Sequence, residues 1–404
     1  MENTTSKAGK VSQLLEQLTE SATLAMARMS RELAQQGHKV VSLSLGEPDF
    51  DTPEFIKEAA KKAIDDNITH YPPVNGFLEV RQAICKKFER DNGLKYTPDQ
   101  IVISTGAKQA IANTILALVE KGDEVLMPSP FWVSYAEIVK IAGGTPVELL
   151  ATVDNDFKIT ADQLRGAITP RTKVIIYSSP CNPTGSVYSA SELSVFADII
   201  EQHEGVYVIS DEIYELINFE GRTASIGAFG NMIDRTITVN GVSKAFAMTG
   251  WRIGYIGAPK WIADACTKMQ GQITSGPNTI AQMATKAAVE ADPDNVKFMI
   301  DVFKKRRDLV YSLLKEIPGI KVNLPEGAFY FFPDVSSYFG KSDGETVVNN
   351  ATDLSLYMLK KELIAVVTGE AFGDPNCIRI SYAASEETLI EAVARIKRAL
   401  AALK

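Results

Sequence analysis

The sequence predicts an α/β protein, with a mainly parallel sheet in a large domain and a smaller α+β domain after it. Three observations carry that prediction. From Ile101 onward, short runs of β-branched and aliphatic residues alternate with stretches of helical apolar spacing, the pattern of strand–helix–strand units. After Pro318-Gly319 the pattern changes to strand-like runs (IKVNLP, GAFYFFPDV, VVTG, CIRISYA) interrupted by a helix near 351–363 and closed by a last helix to Lys404. A chain of 404 residues also has the length for two to three domains of about 150 residues, ample for a large buried core.

Taken in order, residues 11–36 carry apolar positions at helical spacing, and Gly37 supplies a C-terminal stop. The next segment, SLSLGEPDFDTP, is broken by Gly46, Pro48 and Pro53; Gly46 has no side chain, so a substrate could approach its backbone. Helices are predicted over 53–66 and 77–92, with Tyr71 between them beside two prolines, where packing is the plainer reading. IVIS (101–104) reads as a strand, Thr105-Gly106 as a turn and 107–120 as a helix. Its free N–H groups make Gly106, Ala107 and Lys108 candidates for a phosphate site. Lys108 stands in the first turn, where a cation opposes the macrodipole by about 0.3–1 kcal/mol, so either solvent or an anionic ligand compensates it.

Three further strands lead into loops that bear chemistry. VLMPSPFWVSY displays Trp132, an aromatic face suited to stacking on a flat ring. VIIYSSPCNPTG presents Asn182 beside Cys181, whose direction the sequence leaves open; cis peptide bonds are expected before Pro130 and Pro183. VYVISDEIYE ends its apolar run in Asp211, with Tyr214 three residues on, and an acid at the carboxyl end of a parallel strand lies where such sheets bind ligands; a helix cap is the ordinary alternative. The run Thr236–Val239 then delivers Lys244 on a loop of small and apolar residues. A desolvated lysine can lose its proton and attack a carbonyl, and Arg252, set between Trp251 and Ile253, asks for an anionic partner. Together the two suggest an aldehyde cofactor bearing a phosphate. Two helices fill 276–316, where KKRR reads as a solvated face, and Arg379 lies in an apolar strand where a guanidinium requires a partner.

Bulk composition narrows the classes. The chain is 45% hydrophobic and 23% charged with a net charge of -8, so no basic field draws it to nucleic acid or anionic membrane. No run approaches the ~20 apolar residues of a membrane span, and the first residues lack an apolar signal core, which together point to a cytoplasmic protein. Four scattered cysteines and three isolated histidines give neither a disulfide framework nor a metal site. No G-x-G-x-x-G follows a strand, which disfavours a nicotinamide enzyme.

The segment G-V-S-K-x-x-A-M-x-G-x-R-I-G (241–254) resembles the lysine-attachment signature of class I pyridoxal-phosphate (PLP) aminotransferases. Matching landmarks run in order from about Leu45 to Ser381, including G-E-P-D-F, Y-x-P-x-x-G and R-I-S. G-x-K-Q-A and the ESATLAM segment are similar to bacterial aspartate aminotransferases of subgroup Ib. The resemblance implies the PLP-transferase fold type I, with a seven-stranded sheet and an N-terminal arm that joins the small domain. It divides the chain into 1–45 (arm and part of the small domain), 46–300 (large PLP-binding domain) and 301–404 (small domain).

It also implies roles. Lys244 would bond to the PLP aldehyde, Asp211 would pair with the pyridine nitrogen, and Asn182 and Tyr214 would hydrogen-bond the ring hydroxyl. Trp132 would stack on the ring. Gly106, Ala107, Lys108, Ser243 and Arg252 would lie on the cofactor side, with Tyr71 reaching the phosphate of the neighbouring subunit in a homodimer. Arg379 would fork onto the substrate α-carboxylate, with Gly46, Trp132 and Asn182 near it, and Lys108 would take a distal carboxylate. The expected reaction is ping-pong transamination, most simply of L-aspartate with 2-oxoglutarate. The alternatives are an aromatic-amino-acid or prephenate aminotransferase, a PLP lyase on the same fold, or a non-catalytic sensor; the last is disfavoured because Lys244, Asp211 and Arg379 are all present and no DNA-binding segment is seen ahead of the domain.

Overall fold

A computed structural model describes residues 11–404, so the first ten residues of the expected arm lie outside the described residues. Seven strands form the central sheet: β1 (Ile101–Ser104), β2 (Glu124–Ser129), β3 (Thr145–Leu150), β4 (Thr172–Ser178), β5 (Tyr207–Asp211), β6 (Thr236–Gly241) and β7 (Gly254–Gly257). Their spatial order is β1-β7-β6-β5-β4-β2-β3, and only β7 runs against its neighbours. Because side chains alternate along a strand, each apolar run feeds two cores. Val125, Met127, Val174, Ile176 and Ile209 face helices Ala107–Leu118 and Lys260–Ile273, while Leu126, Ile175 and Val208 face helix Ala190–Glu201.

The smaller α+β part holds strands β8 (Tyr330–Phe331), β9 (Val367–Thr368) and β10 (Ile378–Ser381) in the order β9-β10-β8, all antiparallel. Helices Ala351–Glu362 and Glu386–Ala401 pack beside it. IKVNLP, expected as a strand, contributes only the isolated bridge Lys321–Asp334. The incoming N-terminal segment is stitched to this part: Val41–Ser42 pairs in parallel with Ile364–Ala365, and the Leu43 carbonyl accepts the Ser381 N–H at 3.0 Å.

Several local expectations are corrected. The helix predicted over 11–36 is two helices, Gln13–Glu16 and Ala22–Gln35, because the Thr19 N–H donates to Glu137 Oε2 at 3.1 Å instead of continuing the helical ladder. The KKRR run is not a solvated face throughout. Lys304 and Lys305 are exposed, but Arg306 is buried in a two-pronged pair with Asp49 (2.7 and 2.8 Å), and Arg307 is buried, donating to the Pro325 carbonyl at 3.0 Å. Helical periodicity turns these two arginines inward while their lysine neighbours face water. The bond before Pro130 is cis as expected; the second is before Pro180, not Pro183. Among the described residues no helix is long and apolar enough to cross a membrane.

One close approach fixes the sheet against the loop that follows β1. A side-chain carbon on Gly254 would overlap the backbone nitrogen of Ala107, and backbone has nowhere to retreat. We predict that Gly254→Ala destabilises the protein by about 3 kcal/mol or more, the upper end of overpacking costs, read as a loss of thermal midpoint by circular dichroism. An unchanged midpoint would contradict the packing described.

Candidate active site

The carboxyl ends of the parallel strands converge on one cavity of about 290 Å³. Five of the strands hand over a residue at or shortly after the end of the ladder. Trp132 follows β2, Asn182 follows β4, Asp211 is the last residue of β5, Lys244 follows β6, and the helix after β1 opens at Ala107. Ten of the thirteen expected site residues line this cavity: Gly46, Ala107, Lys108, Trp132, Asn182, Asp211, Tyr214, Ser243, Lys244 and Arg252. Glu47, Ser178 and Thr249 line it as well and were not singled out from the sequence.

Lys244 is partly buried, its Nζ donating to the Gly46 carbonyl at 2.6 Å and lying 5.7 Å from the Tyr214 ring centre. Burial, then the Arg379 charge, lowers its pKa to about 8. Asp211 is buried, accepts from the Tyr135 hydroxyl at 2.6 Å on Oδ2 and from the Ile213 N–H at 3.3 Å on Oδ1, and is raised to about 6 by desolvation. A buried carboxylate so poised, with no cation in hydrogen-bonding contact among the described residues, is suited to a cationic nitrogen.

Tyr135 escaped sequence reading because it sits in the helix after the Trp132 loop and resembles core filler; nothing in the spacing marks it as the partner of an acid on another strand.

Gly46 lines the cavity and has a further packing role that the sequence did not show. A side chain there would overlap the Tyr330 hydroxyl, so the glycine makes room for Tyr330, while its carbonyl receives the lysine. At the opposite wall, Gly106 takes φ 83° immediately before helix Ala107–Leu118, and a side chain there would overlap Arg252 Nη2. Gly106 thus shapes the wall without lining it. Arg252 is not buried as its neighbours suggested. Its backbone is left-handed (φ 58°), which turns the side chain away from Trp251 and Ile253 to the exposed rim, where Nη1 donates to the Thr249 carbonyl at 2.9 Å. Ala107 at the helix start, Ser243 and Arg252 line the same cavity, a set of donors suited to an anion.

Lys108 also lies at the rim, Nζ 4.9 Å from the Trp132 ring centre, its pKa lowered by burial and then by Arg252. Arg379 is fully enclosed. Its Nη1 donates to Asn182 Oδ1 at 2.9 Å and its Nη2 to the Ser44 carbonyl at 2.6 Å, while Nε has no partner among the described residues. Two residues assigned separate roles from the sequence are therefore bonded to each other. Tyr71 lies outside the cavity, with 94% of its surface exposed. Cys181 faces the Pro130 carbonyl, 3.5 Å from its sulfur, and not the cavity.

Residues 38–396 match the family model described as "Aminotransferase class I and II". The chain belongs to this family. Among curated relatives, the bifunctional aspartate aminotransferase and glutamate/aspartate-prephenate aminotransferase of Petunia hybrida is 48% identical over 95% of this chain and 81% of its own. The aspartate/prephenate aminotransferase of Cereibacter sphaeroides is 45% identical over 97% and 99%. Among solved structures, the aspartate aminotransferase of Rhizobium meliloti superposes with a TM-score of 0.94 at 40% identity, covering 98% of this chain and 100% of that one. That of Thermus thermophilus with maleate gives 0.91 at 40% identity, covering 97% and 100%.

This aminotransferase acts by transamination and uses PLP. The donor set suits that cofactor: an amine of lowered pKa for its aldehyde, a buried carboxylate for its ring nitrogen and an anion cradle for its phosphate.

The pKa of Lys244 has a kinetic consequence. The charged amine is unreactive and the neutral one attacks, so for Lys244 as the amine that takes the PLP aldehyde we predict that attachment to cofactor-free enzyme accelerates as pH rises and levels off above about 8. Stopped-flow absorbance across pH 6–10 checks this; a rate that keeps climbing to the ordinary lysine range would show that the amine is not desolvated.

Proposed function

We propose that this enzyme transfers the amino group of L-aspartate to 2-oxoglutarate by a ping-pong cycle, yielding oxaloacetate and L-glutamate. The observation that carries the substrate choice is Lys108, a cation at the rim of the cavity with an aromatic face beneath it and no carboxylate bonded to it among the described residues. A second carboxylate, as aspartate and 2-oxoglutarate both possess, fits that need. Thermus thermophilus aspartate aminotransferase, a structural neighbour, was solved with maleate, a four-carbon dicarboxylate, which agrees.

When bound, PLP serves as the electron sink for the bond broken at the substrate α-carbon and carries the amino group from one acid to the other. On this reading Lys244 anchors the cofactor. Its amine, freed from the cofactor and with its pKa lowered to about 8, would act as general base on the substrate α-proton and then as general acid toward the carbon that carried the aldehyde. Asp211 would keep the ring nitrogen protonated, and Tyr135 orients the carboxylate through its bond to Oδ2. Trp132 stacks on the ring, and Tyr214 and Asn182 donate to its hydroxyl. Gly106, Ala107, Ser243 and Arg252 hold the phosphate, with Tyr71 entering from a second subunit of a homodimer. Its near-complete exposure in the single chain supports that last assignment.

Arg379, held by Asn182 and Ser44, forks onto the α-carboxylate. The domain boundary at 45 is supported by the stitching of Val41–Leu43 onto the smaller sheet side, whereas the proposed boundary at 300 falls within the continuous helix Lys297–Lys315. A cytoplasmic location is supported by four cysteines that are all unpaired.

Prephenate is the second reading, because several relatives are named for it and it too carries a carboxylate remote from its oxo acid group. Lys108→Met separates charge from shape. We predict that kcat/KM for aspartate falls about 10- to 100-fold, the worth of a charge-assisted hydrogen bond, while that for phenylalanine changes less than about threefold. Equal losses would remove Lys108 from substrate choice.

A further inference from the structure

Tyr330 is fully buried at the start of β8 and does not line the cavity, yet it touches three groups that bear on it. Its hydroxyl lies 2.7 Å from that of Tyr214. The same hydroxyl fills the space over Gly46, whose carbonyl receives Lys244. Its ring lies under the Arg379 guanidinium, 4.6 Å from centroid to carbon. Register explains the coincidence: Tyr330 pairs with Ser381 across β8 and β10, two residues from Arg379, which places both side chains on the same face.

The hydroxyl pair has a directional consequence. Two phenols share one contact, and each has one proton. If Tyr214 donates to Tyr330, its proton points away from the cavity and it can offer a ligand there only lone pairs. If Tyr330 donates, the Tyr214 proton is free to point inward. Burial raises both pKa values above the ordinary tyrosine range, so both hydroxyls keep their protons at working pH. Among the described residues nothing else bonds to the Tyr330 hydroxyl, whereas Tyr214 lines the cavity.

We propose that Tyr330 is a positioning residue: it donates to Tyr214, and so turns the Tyr214 proton toward the ring hydroxyl of the cofactor. The inference rests on the reading that Tyr214 faces that oxygen. A donor there stabilises the oxygen's negative charge and so lowers the proton affinity of the conjugated linkage to Lys244. Removing the Tyr330 hydroxyl loosens the aim of Tyr214 without removing it.

The test uses PLP-loaded enzyme and the pH midpoint of its visible absorption change, a readout independent of turnover. Tyr330→Phe keeps the ring under Arg379, and a thermal midpoint within about 3 °C of wild type confirms that it folds. Its pH midpoint is expected to rise by about half a unit to one unit, the size of one hydrogen bond. Tyr214→Phe is expected to raise it further, and the double variant no further than Tyr214→Phe alone.

A Tyr330→Phe shift that persists in full in the Tyr214→Phe background would overturn the proposal, because the hydroxyl would then act by another route. So would an unmoved midpoint in Tyr330→Phe while Tyr214→Phe moves it, which sinks this inference alone. An unmoved midpoint in Tyr214→Phe would remove the reading of Tyr214 and this inference with it. Should Tyr330→Phe fold poorly, Gly46→Ala, which presses on the same hydroxyl, is expected to raise the midpoint in the Tyr214 background only; an equal rise without the Tyr214 hydroxyl counts against the proposal.

Discussion

The site depends on one desolvated amine. Lys244 emerges from a strand whose residues are all buried and meets the Gly46 carbonyl across a gap spanning nearly two hundred residues of sequence. Removing water from an ammonium lowers its pKa, and the nearby Arg379 charge lowers it further. Everything that keeps water out therefore tunes the reactivity of that nitrogen: the sheet beneath, the glycine that admits Tyr330, and the loop that bears Thr249 and meets Glu47 at the rim.

A second constraint is charge balance within a small volume. Lys108, Lys244 and Arg252 line the cavity and Arg379 lies just behind it, against the buried Asp211 and the rim carboxylate of Glu47. Cations in excess suit ligands that arrive with a phosphate and with carboxylates. Asp211 stands apart from them. It is held by a phenol and a backbone N–H, neither charged, which is why desolvation dominates and its pKa rises. In the folded chain without a cation beside it, that raised pKa is a cost present above about pH 6 that fades as pH falls toward the ordinary carboxylate range; a cationic ring nitrogen offsets it.

Much of this was legible in the sequence, for identifiable reasons. Buried strands advertise themselves as unbroken apolar runs, so the ends of β4, β5 and β6 could be found, and with them Asn182, Asp211 and Lys244. The cavity residues at strand ends follow from the fold rule that ligands sit at the carboxyl edge of a parallel sheet. What stayed hidden were contacts between distant elements. Tyr135 and Tyr330 look like packing residues, and only the folded chain brings one hydroxyl to Asp211 and the other to Tyr214. Arg252 seemed buried because its neighbours are bulky, but a left-handed backbone sends its side chain elsewhere. Arg306 and Arg307 seemed solvated because they belong to a basic run, whereas helix rotation gives them to Asp49 and Pro325. Gly46 has a packing role beside Tyr330 that the sequence did not show.

The most direct measurement is chemical. The PLP-loaded enzyme is reduced with borohydride, digested and mapped by mass spectrometry. The account predicts the pyridoxyl mass on the peptide containing Lys244 and on no other, with loss of that label in Lys244→Ala. Label on Lys108, on any other lysine, or on none would contradict it.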